Sequence, residues 1–215
     1  SLAHGMTLKD ASSYNVQFVG NKPIFIDTLS FEKYEAGNPW VAYKQFCQHF
    51  LAPLMLMAKV DVRLLSLCRN YIDGIPLDLT AKLLPRRTKF SMGCFMHIHL
   101  HSKAQNQFSD AQDESKSKKT LSENGMKGLV DNLSNLVKGL EWKPGGTEWG
   151  DYYEATNYTD DSFEEKKIKV RNFIGAINPA PKLAVDLGAN DGTFSSIAQE
   201  VCEQVVAADI DPTAV

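Results

Sequence analysis

The sequence predicts an α/β protein in which an N-terminal α+β region precedes the first part of a parallel sheet. Residues 183–187 are an apolar run that ends in a glycine turn, and a helical stretch follows. A second apolar run, residues 205–208, ends in Asp209. A strand, a glycine turn, a helix and a second strand ending in an acid form the first unit of a doubly wound α/β sheet. Upstream, strand and helix patterns alternate over residues 1–105.

Two glycines shape this turn. Gly188 and Gly192 allow a tight bend, and we expect them to bring main-chain N–H groups and a helix N-terminus close to a ligand. Asp209 follows Gly188 by about 20 residues, the spacing at which an acid meets the ribose hydroxyls of a nucleotide. The dinucleotide fingerprint G-x-G-x-x-G requires glycine at positions 190 and 193, where this chain has Asn190 and Thr193.

Residues 186–192, Asp-Leu-Gly-Ala-Asn-Asp-Gly, resemble motif I of class I S-adenosylmethionine-dependent methyltransferases, D/E-x-G-x-G-x-G, with asparagine in place of the middle glycine. The resemblance implies S-adenosyl-L-methionine as cofactor, with the first acid and glycine facing its methionine end, the last glycine leaving room and the second-strand acid holding the ribose. The cofactor-binding residues implied are Asp186, Gly188, Ala189, Asn190, Gly192 and Asp209. Asp211, which precedes Pro212, is expected to cap the next helix.

Three tyrosines precede the predicted helix at about residues 160–177: Tyr152, Tyr153 and Tyr158. In class I methyltransferases the segment before the first strand commonly folds over the cofactor, so their position resembles that of lid residues. Aromatic rings stabilise a cation such as a sulfonium by about 0.5–2 kcal/mol. The alternative is that these rings only seal the helix against the sheet.

Over most of its length the chain resembles a bacterial family of class I methyltransferases that includes proteins related to nodulation. The matching segments are residues 8–18, 25–31, 39–47, 97–101 and 183–194. The resemblance implies a Rossmann-like methyltransferase domain, of which this chain holds the truncated beginning, and methyl transfer to an unidentified acceptor. No catalytic residue can be named, because acceptor-binding residues normally come from later strand ends.

A second constellation lies near the N-terminus. Asp10, four spacers and Asn15 precede a hairpin that ends in Asp27, an order that resembles kinase-like phosphotransferases. In those enzymes one carboxylate orients the hydroxyl while the Asn and the second Asp hold magnesium. Leu8 stands where His or Tyr is usual, and Asp27-Thr-Leu replaces Asp-Phe-Gly. The alternatives are a phosphotransferase, a vestigial kinase-like substructure, or simple turn caps.

Three histidines alternate at positions 97, 99 and 101. On a strand all three would share a face, and on a helix only His97 and His101 would, so either arrangement can hold a metal. No acid or cysteine lies at a usual short spacing, and we therefore expect a solvated, pH-sensitive helix face and no metal.

Composition is that of an ordinary globular protein. The chain has 43% hydrophobic and 23% charged residues and a net charge of −3, which favours neither nucleic acid nor membrane as a partner. The longest apolar run, residues 50–58, is too short to span a bilayer, and no signal peptide is visible. Four cysteines without a C-x-x-C pair indicate reduced thiols, hence a cytoplasmic protein.

Three parts are predicted along the chain: an α+β domain at 1–105, a linker plus amphipathic helix at 106–147, and the start of a methyltransferase domain at 148–215. The linker is the polar stretch 106–124, and the helix runs over residues 126–140. Both ends look cut, so we expect the fragment alone to bind cofactor weakly and to be inactive. A non-catalytic interaction domain that carries an inactive nucleotide fold is the remaining alternative.

Local patterns predict the elements of the first domain. Gly20-Asn21 is expected to turn a hairpin between residues 14–19 and 23–27. A helix is expected to begin at Pro39, with one apolar face in the core, and further helices to cover residues 62–71 and 77–84. The predicted core face comprises Trp40, Tyr43, Phe46, Cys47, Phe50, Leu51 and Leu54.

Overall fold

The chain is a mixed α/β protein of two compact units, Ser1–Trp142 and Lys143–Val215. A computed structural model describes residues 1–101, 121–143 and 159–214. The described sheets are two antiparallel pairs and one parallel pair, so a complete Rossmann-like sheet does not occur in these ranges. Residues 106–120 of the linker predicted at 106–124, and the three tyrosines at 152, 153 and 158, lie outside the described residues. The last two residues of that predicted linker, Glu123 and Asn124, already belong to a helix.

The strands of the first unit form two antiparallel pairs. Strand β1 (Met6–Leu8) pairs with β4 (Phe31–Lys33), and β2 (Val16–Val19) pairs with β3 (Lys22–Phe25). The β2–β3 turn contains Gly20 with φ 61°, a conformation in which glycine is favoured. The hairpin predicted from Gly-Asn is therefore confirmed.

The helices of the first unit follow these strands. They are α1 (Tyr43–Phe46), a π-helical turn (Cys47–Leu51), α2 (Ala52–Lys59), a 3-10 helix (Val62–Ser66), α3 (Leu67–Asn70), α4 (Leu77–Leu83), a 3-10 helix (Arg86–Phe90), α5 (Met92–Cys94), a second π-helical turn (Phe95–Leu100) and α6 (Glu123–Lys138). The helix predicted at 62–71 is thus split in two, whereas those at 77–84 and 126–140 are confirmed. No helix in the described ranges is both long and apolar enough to cross a membrane.

The helix predicted to begin at Pro39 differs from the observed one. The observed helix begins at Tyr43 and continues into a π-helical turn at Cys47–Leu51. A π-helical turn contains more residues per hydrogen-bonded turn than an α-helical turn does. The extra residue shifts the side chains after this turn to a different helix face from the one that a 3.6-residue period predicts. Leu54, expected on the core face, is accordingly 37% exposed, while Leu56 is fully buried.

The core of the first unit is built by these helices. Its fully buried members include Cys47, Leu51, Leu56, Ile75, Leu77, Cys94 and Ile98. Helix α6 adds Leu133, and its Leu129 and Leu136 pack against the same core. The amphipathic helix predicted beside the linker is therefore an integral part of the first unit. All four cysteines are free thiols, and all but the half-buried Cys68 are buried.

The second unit contains one parallel βαβ arrangement. Helix α7 (Asp160–Gly175) comes first, followed by β5 (Leu183–Leu187), α8 (Thr193–Gln199) and β6 (Gln204–Ala208). The two strands pair in parallel, with the last residue of β5 opposite the last residue of β6. Both strands therefore end at the same edge of the sheet, as the sequence predicted.

Helix α7 packs against α8. The rings of Phe163 and Phe194 meet edge to face at 5.9 Å between centroids, and Arg171 donates two hydrogen bonds to the Glu200 carboxylate at 2.7 and 2.9 Å. Helix α7 begins at the cap Thr159, whose hydroxyl accepts a hydrogen bond from the Ser162 N–H. These contacts fix the helix that leads into β5.

Core burial predicts a stability contrast within α2. We expect Leu56→Ala to lower the free energy of unfolding of the first unit by about 2–5 kcal/mol, because a buried leucine leaves a cavity. Leu54→Ala in the same helix should cost less than about 1 kcal/mol, because Leu54 is partly exposed. Urea unfolding followed by circular dichroism measures both, and equal losses would contradict the observed helix register.

Candidate functional site

The glycine turn after β5 is built from left-handed backbone conformations. Gly188 has φ 79°, Asn190 φ 48° and Gly192 φ 78°. Glycine adopts such angles without strain, and asparagine is among the few other residues that tolerate them. Asn190 can therefore replace the middle glycine of the motif without changing the bend.

The Asp209 carboxylate joins this bend to the end of β6. Its Oδ2 accepts a hydrogen bond from the Asn190 N–H at 2.9 Å, and its Oδ1 accepts one from the Asp211 N–H at 2.8 Å. These two N–H donors, that of Asp211 first, hold the pKa of the Asp209 carboxyl below its ordinary value. The acid that the sequence placed one strand away thus lies in contact with the turn.

The backbone donors of the bend are used within the protein. The N–H groups of Gly188 and Ala189 both donate to the Ala208 carbonyl, at 2.8 and 3.1 Å. Those of Gly192 and Thr193 donate to the Ala189 carbonyl and the Asp191 carboxylate. The expectation that these N–H groups face a ligand is corrected, because they form hydrogen bonds within the turn and to β6.

The bend nevertheless leaves open space. A Cβ placed on Gly188 or Gly192 would meet no heavy atom within 4 Å, whereas Ala189 and Asn190 are buried beneath the turn. Space beside a glycine turn lets a ligand approach the backbone closely. The turn therefore offers a ligand room and a neighbouring carboxylate rather than amide donors.

Asp186 lies on the face of β5 that α8 covers. Its Oδ2 accepts a hydrogen bond from the Ser195 hydroxyl at 2.7 Å, and Ser195 is buried. Asp186 thus connects the end of β5 to α8, whereas the sequence resemblance implied contact with the cofactor. Its partner, Ser195, is the third residue of α8 and was not predicted from the sequence.

Asp211 caps the segment after β6, although in the described residues that segment is a turn and not the predicted helix. Its Oδ1 accepts hydrogen bonds from the Thr213 N–H and the Thr213 hydroxyl, at 2.9 and 2.8 Å. The capped segment, residues 212–214, is a turn. Asp211 therefore stabilises the chain direction after β6, and its N–H positions the Asp209 carboxylate.

The structure also gathers the N-terminal constellation. The buried Ser30 hydroxyl donates to Asp27 Oδ2 at 2.6 Å and accepts from Asn15 Nδ2 at 3.2 Å. The Lys9 N–H donates to the Ser30 carbonyl at 2.8 Å, which brings the β1 end that carries Asp10 to the same loop cluster. Ser30 is a linking residue that the sequence reading missed, although it stands three residues after an acid at a strand end.

Local donors hold the two carboxylates of this cluster. The Ser30 hydroxyl and the Leu29 N–H lower the pKa of Asp27. Asp10 Oδ1 accepts from Gln45 Nε2 at 2.7 Å and from the Ser12 N–H at 3.0 Å. These hydrogen bonds leave lone pairs unused on the carboxylates of both Asp27 and Asp10, so both acids can accept further hydrogen bonds.

Two of the three histidines are buried and His101 is half-buried, which corrects the expected solvated face. His97 and His99 are 0% and 4% exposed. His97 Nε2 lies 2.8 Å from Asn132 Oδ1, and its Nδ1 lies 2.6 Å from the Tyr43 hydroxyl. An amide oxygen only accepts, so Nε2 carries the proton and Nδ1 accepts from Tyr43.

Burial also sets the protonation states around His97. It lowers the pKa of His97 and raises that of Tyr43, so both groups are neutral at pH 7. Burial likewise raises the pKa of Cys47 to about 12. In the described ranges no group of three His, Cys, Asp or Glu residues could hold a metal. The network of Tyr43, His97 and Asn132 therefore satisfies polar atoms in the helical core.

Comparison with known proteins gives one clear relationship. The chain is 34% identical over 219 residues to nodulation protein NoeA of Rhizobium meliloti (strain 1021), an alignment that covers 99% of this chain and 45% of that protein. The two proteins are homologous. The chain thus spans about half the length of the curated relative it matches. No family model matches the chain, and no solved structure does.

The Asn190–Asp209 contact predicts a pH dependence. Because the pKa of Asp209 is lowered, its hydrogen bonds are intact above the ordinary aspartate value of about 3.9 and are lost as the pH falls through a lower midpoint. We expect the amide proton of Asn190 to titrate below about 3.9 in NMR spectra. Asp209→Asn should abolish this titration and Glu203→Gln, at the far end of β6, should not. A midpoint at or above the ordinary value would refute the contact.

Proposed function

We propose that the full-length protein is a class I methyltransferase that binds S-adenosyl-L-methionine beside the glycine turn at residues 188–192. The hydrogen bond from the Asn190 N–H to the Asp209 carboxylate carries this proposal, because it joins the turn to the acid at the neighbouring strand end. The bend is open on its outer side, so a ligand can reach both features.

Asp209 retains acceptor capacity for a ribose hydroxyl. Its oxygens accept the Asn190 and Asp211 N–H groups, and the Ile210 N–H also lowers its pKa. An ionised carboxylate offers about four acceptor positions, so capacity remains for a ligand hydroxyl. Because its pKa is lowered, the carboxylate is ionised at neutral pH, and hydrogen bonds to a charged acceptor are the stronger kind.

Asp186 has a positioning role in this proposal. Its hydrogen bond with Ser195 holds the start of α8 against the end of β5, on both of which the bend depends. The amide cradle expected from the sequence has no part in binding, since the bend uses those donors itself. Gly188 and Gly192 contribute space for the ligand.

The chemistry proposed is displacement of a methyl group from a sulfonium by a nucleophile of unidentified class. S-adenosyl-L-methionine, when bound, supplies the activated methyl. This chain orients the adenosyl end, and orientation is the main requirement of an in-line displacement. NoeA is named a nodulation protein, and we propose that the full-length protein acts in the same process.

Calorimetry with S-adenosylhomocysteine on the full-length protein tests the site. We expect Asp209→Asn to weaken binding by about tenfold or more, because a hydrogen bond to a charged group is lost. Glu203→Gln, which changes an exposed acid immediately before β6, should leave binding unchanged.

The ligand can be varied in the same way. An analogue that lacks both ribose hydroxyls should bind the parent protein and Asp209→Asn with equal affinity, because the interaction in question is absent. If Asp209→Asn binds S-adenosylhomocysteine as tightly as the parent does, Asp209 is not in the site. If the full-length parent protein gives no heat, the methyltransferase proposal fails.

A second candidate function is phosphotransfer at the N-terminal cluster. It is supported by the Ser30 hydroxyl, which links Asn15 to Asp27, and by the proximity of the strand end that carries Asp10. Carboxylate and amide oxygens are the ligands that magnesium prefers. In this candidate Asn15 and Asp27 would hold the metal and Asp10 would orient the acceptor hydroxyl.

Magnesium-ATP is the probe for this candidate. If it is correct, the full-length protein binds magnesium-ATP, and Asp27→Asn weakens that binding by about tenfold, because one charged metal ligand is removed. Glu32→Gln on β4, an exposed acid nearby, is the matched control. Absence of any magnesium-ATP binding rules out phosphotransfer and leaves the Asp209 proposal intact.

A further inference from the structure

A cavity of about 580 Å³ lies in the first unit, and Asp10, Asp27 and Asp209 are not among its lining residues. Its described lining comes from the N-terminal segment, from the approach to α1, and from one face of α6. The residues used below are Leu8, Trp40, Phe46, Met126, Val130 and Asp131. Its volume falls within the range of about 300–1,000 Å³ found for small-molecule sites.

The wall of this cavity is rigid and aromatic. The Trp40 indole N–H donates to the Leu8 carbonyl at 2.6 Å, which fixes the ring plane. Its ring centroid lies 5.6 Å from that of Phe46 and 6.2 Å from that of Tyr43. Because these contacts already fix the Trp40 ring, binding a ligand requires little further loss of side-chain entropy.

Helix α6 supplies an apolar floor and one carboxylate. Met126 and Val130, four residues apart, lie on the same helix face and line the cavity, as does Asp131. Lys127 also lines it, but its ammonium group is paired with Glu123 at 2.7 Å, one turn back. Asp131 forms no ion pair with any described residue, so it is the uncompensated side-chain charge of this cavity.

An adjoining small cavity is polar and also acidic. Thr7 and Met126 line both spaces, and the smaller one, about 190 Å³, includes Glu32, Glu35 and Lys33. The side chains that line the two cavities include three carboxylates, of Asp131, Glu32 and Glu35, and one lysine without an ion pair in the described residues, Lys33. The smaller space also contains Tyr34, whose hydroxyl is buried without a partner in the described residues. A buried hydroxyl without a partner favours the entry of a polar group.

We propose that this cavity binds a small organic cation: an amine with an aromatic or aliphatic body. The body packs between the Trp40 ring and the Met126–Val130 face of α6, and the ammonium group pairs with the Asp131 carboxylate. Apolar burial supplies most of the affinity, and the acidic surroundings select a cation over an anion of the same shape.

Three probes with one body and different heads test this site: 4-phenylbutylamine, 4-phenylbutanol and 4-phenylbutyrate. They are titrated into the full chain with Trp142 and Trp149 replaced by Phe, so that fluorescence reports Trp40 alone. We expect saturable quenching, with the amine bound about threefold to fivefold more tightly than the alcohol and the acid bound most weakly. Binding by none of the probes, or equal binding of amine and acid, overturns the proposal.

Two variants locate the binding. Asp131→Asn should remove the preference for the amine over the alcohol and leave alcohol affinity unchanged, whereas the control Glu141→Gln should retain the preference. Val130→Phe should weaken all three probes by about threefold or more, because it fills the cavity from a partly exposed helix position and adds no second tryptophan signal. Lys138→Phe on the same helix should have no effect. Unchanged binding in Val130→Phe, or an amine preference that survives in Asp131→Asn, overturns the assignment.

Discussion

The Asp209 carboxylate is the contact on which the geometry of the second unit depends. It accepts the Asn190 N–H on one oxygen and the Asp211 N–H on the other, so a single side chain fixes both the bend after β5 and the direction of the chain after β6. Parallel pairing alone would align the strand ends but would leave the bend undefined. With this contact, the two strand ends form one surface beside an ionised carboxylate.

A ligand site at this surface must work with few free backbone donors. From Gly188 to Thr193 the N–H groups have acceptors within the chain, so an anion would find no row of unpaired amides there. The lone pairs of Asp209 and the open space beside the two glycines remain. Those features match hydroxyl groups on a ligand better than a phosphate, and for this reason the ligand that we propose is bound through its ribose and not through a pyrophosphate.

The sequence predicted local chemistry better than helix register. Gly20-Asn21, the glycine bend and the cap at Asp211 follow from backbone preferences of single residues, and each is present. The core position that helical periodicity predicted for Leu54 is wrong, because the side-chain pattern does not indicate the π-helical turn at Cys47–Leu51. Such a turn depends on tertiary packing around the helix, which a pattern of 3.6 residues cannot represent.

Polar partners distant in sequence were the other element that could not be predicted. Asn132 is 35 residues from His97, and Gln45 is 35 residues from Asp10, so only the fold reveals them. The two cases differ in what remains after pairing. Both ring nitrogens of His97 are used, which closes that buried group to any ligand, whereas Asp10 keeps acceptor positions and stays partly exposed. Remaining hydrogen-bonding capacity, rather than residue type, separates Asp10 as a candidate binding group from His97 as part of the core.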